Sequence, residues 1–130
     1  METTLKNSNM VLHQNNWKHL PDFIVLNQKW IETYFSIELS DRKLFSNPSK
    51  FFSPQDVFFS VTRDSKFIGS GALFIRPFGA VEITNIAVVD SHQNKGIGQF
   101  ILNAAVQLAQ EKKAHRVILY TNTILKKAFA

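Results

Sequence analysis

Apolar residues change their period twice along this chain. Between Pro21 and Leu39 they fall at Phe23, Ile24, Leu26, Trp30, Ile31, Tyr34, Phe35, Ile37 and Leu39. That spacing follows one face of a helix, and Pro21 suits a first helical turn, so the pattern predicts a helix over about 21–40, broken at most once. Ser46-Asn47-Pro48-Ser49 and Ser53-Pro54 punctuate a loop. From residue 56 β-branched and aromatic runs take over. Val57–Val61, Phe67–Arg76 and Val81–Val89 predict three strands, joined by turns at Arg63–Lys66 and Pro77–Gly79. Gly69 and Gly71 inside the second strand suggest a bulge or a close backbone approach. Phe100–Ala109 returns to the helical period and predicts a helix over about 97–112, with Lys112 and Lys113 where cations complement the helix dipole. Arg116–Tyr120 predicts a fourth strand, and Leu125–Ala130 begins another helical pattern. Residues 1–17 look irregular apart from a short strand at Met10–Gln14. Three hairpin-connected strands followed by a crossover helix imply an α/β domain with a mixed sheet.

Composition narrows the class. At 130 residues, without a repeat or linker, the chain is expected to form a single domain that buries a core without covalent staples. Cysteine is absent, which removes disulfides and thiolate metal sites and points to a cytoplasmic setting. The polar N-terminus lacks the apolar core of a signal peptide. No apolar run approaches the ~20 residues that span a bilayer, so no membrane partner is expected. His13, His19 and His115 lack metal-ligand spacing, and no metal is expected. The net charge of +5 fits a polyanionic ligand such as a nucleotide cofactor, or a solvated surface with a mild lysine excess. No basic block with interleaved aromatics occurs, so nucleic acid is not an expected partner.

The candidate chemistry lies in Gln93-Asn94-Lys95-Gly96-Ile97-Gly98. It sits between the β-branched run Ile83–Val89 and the helical pattern from Phe100. A strand feeding a glycine-containing turn that opens a helix aims several free backbone N–H groups at one point. The helix dipole adds positive potential there, so the turn suits a phosphate group. Two glycines spaced by one residue are a weak signal alone. The order strand, turn, helix strengthens it.

These residues resemble motif A of the GNAT N-acetyltransferases, whose core reads Gln/Arg-x-x-Gly-x-Gly/Ala and is filled here by Gln93, Gly96 and Gly98. Ile86-Ala87-Val88 resembles the strand that precedes it. Asn27–Phe35 is similar to the first helix of a bacterial subgroup of small GNAT proteins, and Tyr120–Ala128 to the entry of its late helix. The resemblance implies a GNAT-like mixed, mostly antiparallel sheet with flanking helices, which binds acetyl-CoA as acetyl donor. The pyrophosphate would rest on the N–H groups of the turn formed by Asn94, Lys95, Gly96, Ile97, Gly98 and Gln99, where a Cβ at either glycine would obstruct it. Gln93 would hold the loop and Lys95 would add charge at its rim. The pantetheine arm would pair with the backbone of Ile86, Ala87 and Val88, leaving the side chains of Ile86 and Val88 in the core. Backbone N–H near Val88 would stabilise charge developing on the carbonyl oxygen. Asn122 stands nearest to a pantetheine-contacting asparagine of the family.

Glu82, eleven residues before Gln93, falls where some histone-type members carry the general base. It would accept a proton from the incoming ammonium of a small-molecule or peptide amine. The alternative is a strand glutamate that orients the first helix or faces solvent. His92 either titrates beside the loop or fills an aromatic position common in this turn. The resemblance implies direct acetyl transfer in a ternary complex. The alternative function is a non-catalytic CoA-binding or interaction module. Trp30, Tyr34, Phe51, Phe52 and Phe58 either line the acceptor pocket or pack in the core.

The chain departs from the family pattern at its C-terminus. Ala130 is followed by none of the expected late helix with its acid tyrosine, nor by the last two strands. The expectation is therefore a domain over residues 1–130 that lacks these elements, with weakened activity. Its strand at 116–121 would be an unprotected edge, leading to homodimer formation, strand exchange or marginal stability.

Overall fold

The computed structural model describes residues 2–4, 9–34 and 52–119, with backbone alone over 2–4 and 30–34. A strand β1 (Glu2–Thr4) leads into β2 (Met10–Gln14) and helix α1 (Leu20–Tyr34). Strands β3 (Val57–Arg63), β4 (Lys66–Arg76) and β5 (Ala80–Val88) follow, then helix α2 (Ile97–Glu111) and strand β6 (Arg116–Leu119). The six strands lie in one sheet in chain order. Every neighbouring pair is antiparallel except β5 and β6, which run parallel because α2 crosses between them. The predicted strands and second helix appear with ends displaced by a residue or two. The described part of the first predicted helix ends at Tyr34, and residues 35–40 lie outside the described residues.

One expectation is corrected at the N-terminus. Glu2–Thr4 looks irregular in sequence, yet it pairs antiparallel with Val11–His13. Three residues carry too little periodicity to signal a strand. The neighbouring edge of β2 supplies the hydrogen-bonding template that makes them one.

The two helices cover opposite faces. β3 is a nearly unbroken buried run rather than an alternating one, as expected for a strand covered on both sides. Phe58 joins Phe23, Phe52, Ala72 and Phe74 beneath α1, where Leu20 and Ile24 pack against them. Phe59 faces the other way, into a core with Val61, Leu73, Ile83, Ile86 and the α2 residues Ile97, Ile101, Ala105 and Ala109. The period of about 3.6 along α2 therefore meets the period of 2 along the strands at one apolar surface.

Both signals read at Gly69 and Gly71 have structural counterparts. The β3–β4 register slips between Val61 and Thr62, where Ile68 is the extra residue of β4. Gly71 is a close approach: a Cβ there would lie 2.9 Å from Ile101 Cγ2 and 3.2 Å from Ile86 Cγ1. The bulge opposite Gly71, however, belongs to β5. Ser70 pairs with Ala87 and Ala72 with Thr84, so Asn85 and Ile86 together face Gly71. Asn85 takes a left-handed φ of 57° to accommodate the extra residue.

Candidate functional site

The bulge sets the path of the strand that leads to the glycine loop. β6 pairs with β5 only from Ala80↔Arg116 to Ile83↔Leu119 among the described residues. Beyond Ile83 the β5 backbone kinks at Asn85 and runs on as Ile86-Ala87-Val88, whose other edge is held by β4. All three residues are buried, at 3%, 1% and 1% exposure. Their side chains belong to the core, and their backbone is what this stretch can present.

At the end of β5 the chain passes through a short 3-10 turn, Asp90–His92, and reaches the glycine loop. Asn94 and Gly96 adopt left-handed φ of 62° and 79°. Gly96 caps α2, and no side chain caps the helix, so its first N–H groups are directed outward at the loop. A Cβ built on Gly96 would meet nothing within 4 Å. That is open room beside a helix N-terminus, the space an anion needs. Ile97 and Gly98 are buried in the first turn of α2, whereas Asn94, Lys95 and Gln99 are exposed. Gln99 donates to Asn103 Oδ1 at 2.8 Å on the helix surface.

The loop is tied to the strand. Gln93 Nε2 donates to the carbonyl of Val88 and to Asp90 Oδ1, both at 3.3 Å. Asp90 in turn pairs with Lys29 of α1 at 2.9 Å, an exposed ion pair that orients more than it stabilises. Partial burial, then the charges of Lys95 and Arg63, hold the His92 imidazole below its ordinary pKa. Its Nδ1 lies 2.9 Å from Ser91 Oγ. These cations place positive potential at the loop.

Glu82 lies toward the opposite end of β5, roughly 20 Å along the strand from Val88 at the usual rise per residue. It is the register partner of Phe74 on the α1 face. Arg76 donates to it through Nε at 3.4 Å and Nη2 at 3.3 Å, while the guanidinium sits 5.1 Å above the Phe74 ring. Asn122 lies outside the described residues, as do Phe51 and the side chains of Trp30 and Tyr34. Phe58 is fully buried and Phe52 is 8% exposed, so both are core residues. No group of three His, Cys, Asp or Glu among the described residues could hold a metal ion.

A polar cluster that sequence reasoning missed supports the bulge. Asn27 of α1 is 3% exposed and Ser70 of β4 is fully buried. Asn27 Nδ2 donates to the Phe23 carbonyl at 2.8 Å and to Ser70 Oγ at 3.4 Å, and Asn85 Nδ2 donates to Asn27 Oδ1 at 3.4 Å. Helix, neighbouring strand and bulge are joined at one side chain. The signal in the sequence was an asparagine four residues after Phe23 on an apolar helical face. Asn27→Leu is expected to strand the Ser70 hydroxyl and Asn85 amide, costing about 1–3 kcal/mol in thermal unfolding.

Comparison with known proteins identifies the family and the fold. The family model described as Acetyltransferase (GNAT) family matches residues 20–129. No curated protein matches the sequence. Among solved structures, a GNAT-family acetyltransferase from Staphylococcus aureus Mu50 superposes with a TM-score of 0.76 at 14% identity, over 92% of this chain and 77% of that one. A predicted acetyltransferase from Clostridium acetobutylicum, solved with acetyl-CoA, gives 0.70 at 16% identity over 92% and 86%. An aminoglycoside N-acetyltransferase in complex with CoA gives 0.68 at 16% identity over 93% and 82%. At such identities the likeness is one of fold. Among the described residues no helix is long and apolar enough to cross a membrane.

Proposed function

The chain belongs to the GNAT acetyltransferase family, and from that membership we propose that it forms one domain transferring an acetyl group from acetyl-CoA to an amine. The observation that carries the reading is the uncapped start of α2 beside Gly96, which Gln93 ties to the end of a strand that kinks at Asn85. Their chemistry fits the two halves of the cofactor. N–H groups at a helix start, with Lys95 beside them, suit a pyrophosphate. The β5 stretch Ile86–Val88, which leads straight to that loop, would run alongside the amide-containing arm. When bound, acetyl-CoA supplies a thioester carbonyl for attack.

The protein's own contribution is positioning and proton transfer. The edge of β5 and the α2 start fix the donor, and the acceptor approaches over the α1 face near Glu82. Glu82 takes the proton that the ammonium loses, directly or through water, so that the nitrogen lone pair can attack. This reach requires the thioester to lie at the Asn85 bulge, on the Glu82 side of Ile86, and not at Val88. One C–N bond forms, one C–S bond breaks, and the thiolate leaves as CoA. Holding amine and thioester in contact accounts for much of the rate. Without cysteine, and with no serine in a hydrolase-like setting, no residue is suited to carry the acetyl group covalently.

A second reading is a CoA-binding module without catalysis. It is favoured by the Arg76–Glu82 ion pair, which already engages both carboxylate oxygens of the proposed base. Titrating CoA thiol release against a panel of amines separates the two. Amine-dependent release that saturates with acetyl-CoA is expected, and tight acetyl-CoA binding with no release above the solvent rate supports the module instead.

A further inference from the structure

A second concavity, of about 460 Å³, opens on the α1 face away from the glycine loop, bounded by Asn15, Trp17, Leu20, Phe52, Pro54 and Asp56. Its walls combine one buried negative charge with aromatic surface. Asp56 is 6% exposed. Its carboxylate accepts from the Ser53 N–H and hydroxyl and from the Ile75 N–H, each at 2.8 Å. All three partners are neutral, and no cationic side chain pairs with Asp56 among the described residues. Donors of this kind hold the carboxylate in place and leave its charge uncompensated.

Trp17 is 47% exposed despite packing on the core. It stacks on Phe58 at 5.6 Å and meets the edge of Phe52 at 5.5 Å. The indole is thereby fixed by buried rings yet open to the cavity. A fixed indole is the strongest aromatic partner for a cation. A buried carboxylate beside it selects for positive charge and against an anion, and a purely apolar occupant would leave that charge facing hydrocarbon.

The cavity is also close to the proposed proton acceptor. Phe52 stacks on Phe74 at 5.2 Å, and Phe74 is the register partner of Glu82. One aromatic layer separates the cavity from Glu82.

We propose that this cavity is a subsite for a second cationic group of the acceptor, so that the acceptor is a di- or polycationic amine. The proposal rests on the acetyltransferase reading, in which the reacting amine lies at Glu82. The non-reacting ammonium sits over Trp17 and beside Asp56, and the chain joining the two ends passes outside the buried Phe52 and Phe74 rings and clear of the Arg76 guanidinium that covers Phe74.

The test is a binding measurement, independent of turnover. The full chain is saturated with CoA and titrated with α,ω-diamines of increasing length, and with monoamines of matched length. Tryptophan fluorescence and calorimetry report binding. A diamine of suitable length should bind at least about tenfold more tightly than its monoamine, a difference of about 1.4 kcal/mol. Trp17→Leu, which changes a half-exposed residue, should remove that preference. Asp56→Asn should remove it as well, provided its melting curve shows a folded protein. Equal affinities in the unaltered chain, or a preference that survives Trp17→Leu, would overturn the subsite. Failure of the acetyltransferase reading shows separately, as acetyl-CoA that does not bind or an amine panel that releases no thiol.

Discussion

Gly96→Glu is expected to abolish acetyl-CoA binding while the chain remains folded. Gly96 caps α2 at φ 79°, and a Cβ there meets nothing within 4 Å. A side chain at this position therefore extends into open space at the helix start without displacing the core. A glutamate would bring its own anion to the point where the dipole and the free N–H groups attract one. It would satisfy those donors and repel the phosphates together, so affinity should fall by roughly 100-fold or more, the equivalent of two good charge-assisted contacts. The left-handed φ adds a backbone cost of roughly 1–2 kcal/mol for any L-residue. Gly96→Ala isolates this cost, since it carries the strain without the charge. The alanine variant should melt at a lower temperature and lose part of its affinity, because its Cβ crowds the phosphates without adding charge, and the glutamate variant should lose binding in calorimetry. A folded Gly96→Glu protein with unchanged affinity would remove the loop from the cofactor site.

Glu82→Gln is expected to lower the rate of acetyl transfer at neutral pH by about 10²–10⁴-fold, the usual contribution of a positioned base, with little effect on acetyl-CoA binding. Glutamine keeps an oxygen for Arg76, and the pair is partly open to solvent, with side-chain exposures of 42% for Arg76 and 19% for Glu82. Stability should therefore change little. The lost rate should return as pH rises toward the pKa of the acceptor amine, where free amine no longer needs a base. A variant with unaltered activity across the pH range would assign Glu82 to its ion pair with Arg76 and nothing more.

The sequence carried the elements and the loop because both are local. Val57–Val61, Phe67–Arg76 and Val81–Val89 announce strands through their own side chains, and Gly96 with Gly98 announces a tight strand-to-helix turn. Burial of Ile86 and Val88 followed from the family resemblance, and Ala87 between them is buried as well. What depended on partners far along the chain was not legible. Glu2–Thr4 is a strand only because β2 offers an edge. Gly71 in β4 suggested a bulge, but the extra residue is Asn85 in β5, since a bulge is a property of two strands in register.

Side-chain alliances follow the same rule. Asn27 reaches Ser70 and Asn85 across 43 and 58 positions of sequence, and no pattern in α1 names those partners. Arg76 and Glu82 are six residues apart in sequence, yet only the tight hairpin between β4 and β5 turns them into a pair. Asp56 and Trp17 are far apart in sequence and meet in one cavity when the start of β3 and the turn before α1 pack together. Local periodicity and turn chemistry thus determined the elements, their order and the glycine loop that opens α2. Sheet register and helix docking decided the bulge, the Asn27 cluster behind it and the charge beside the aromatic wall, because each is made by groups that become neighbours only on folding.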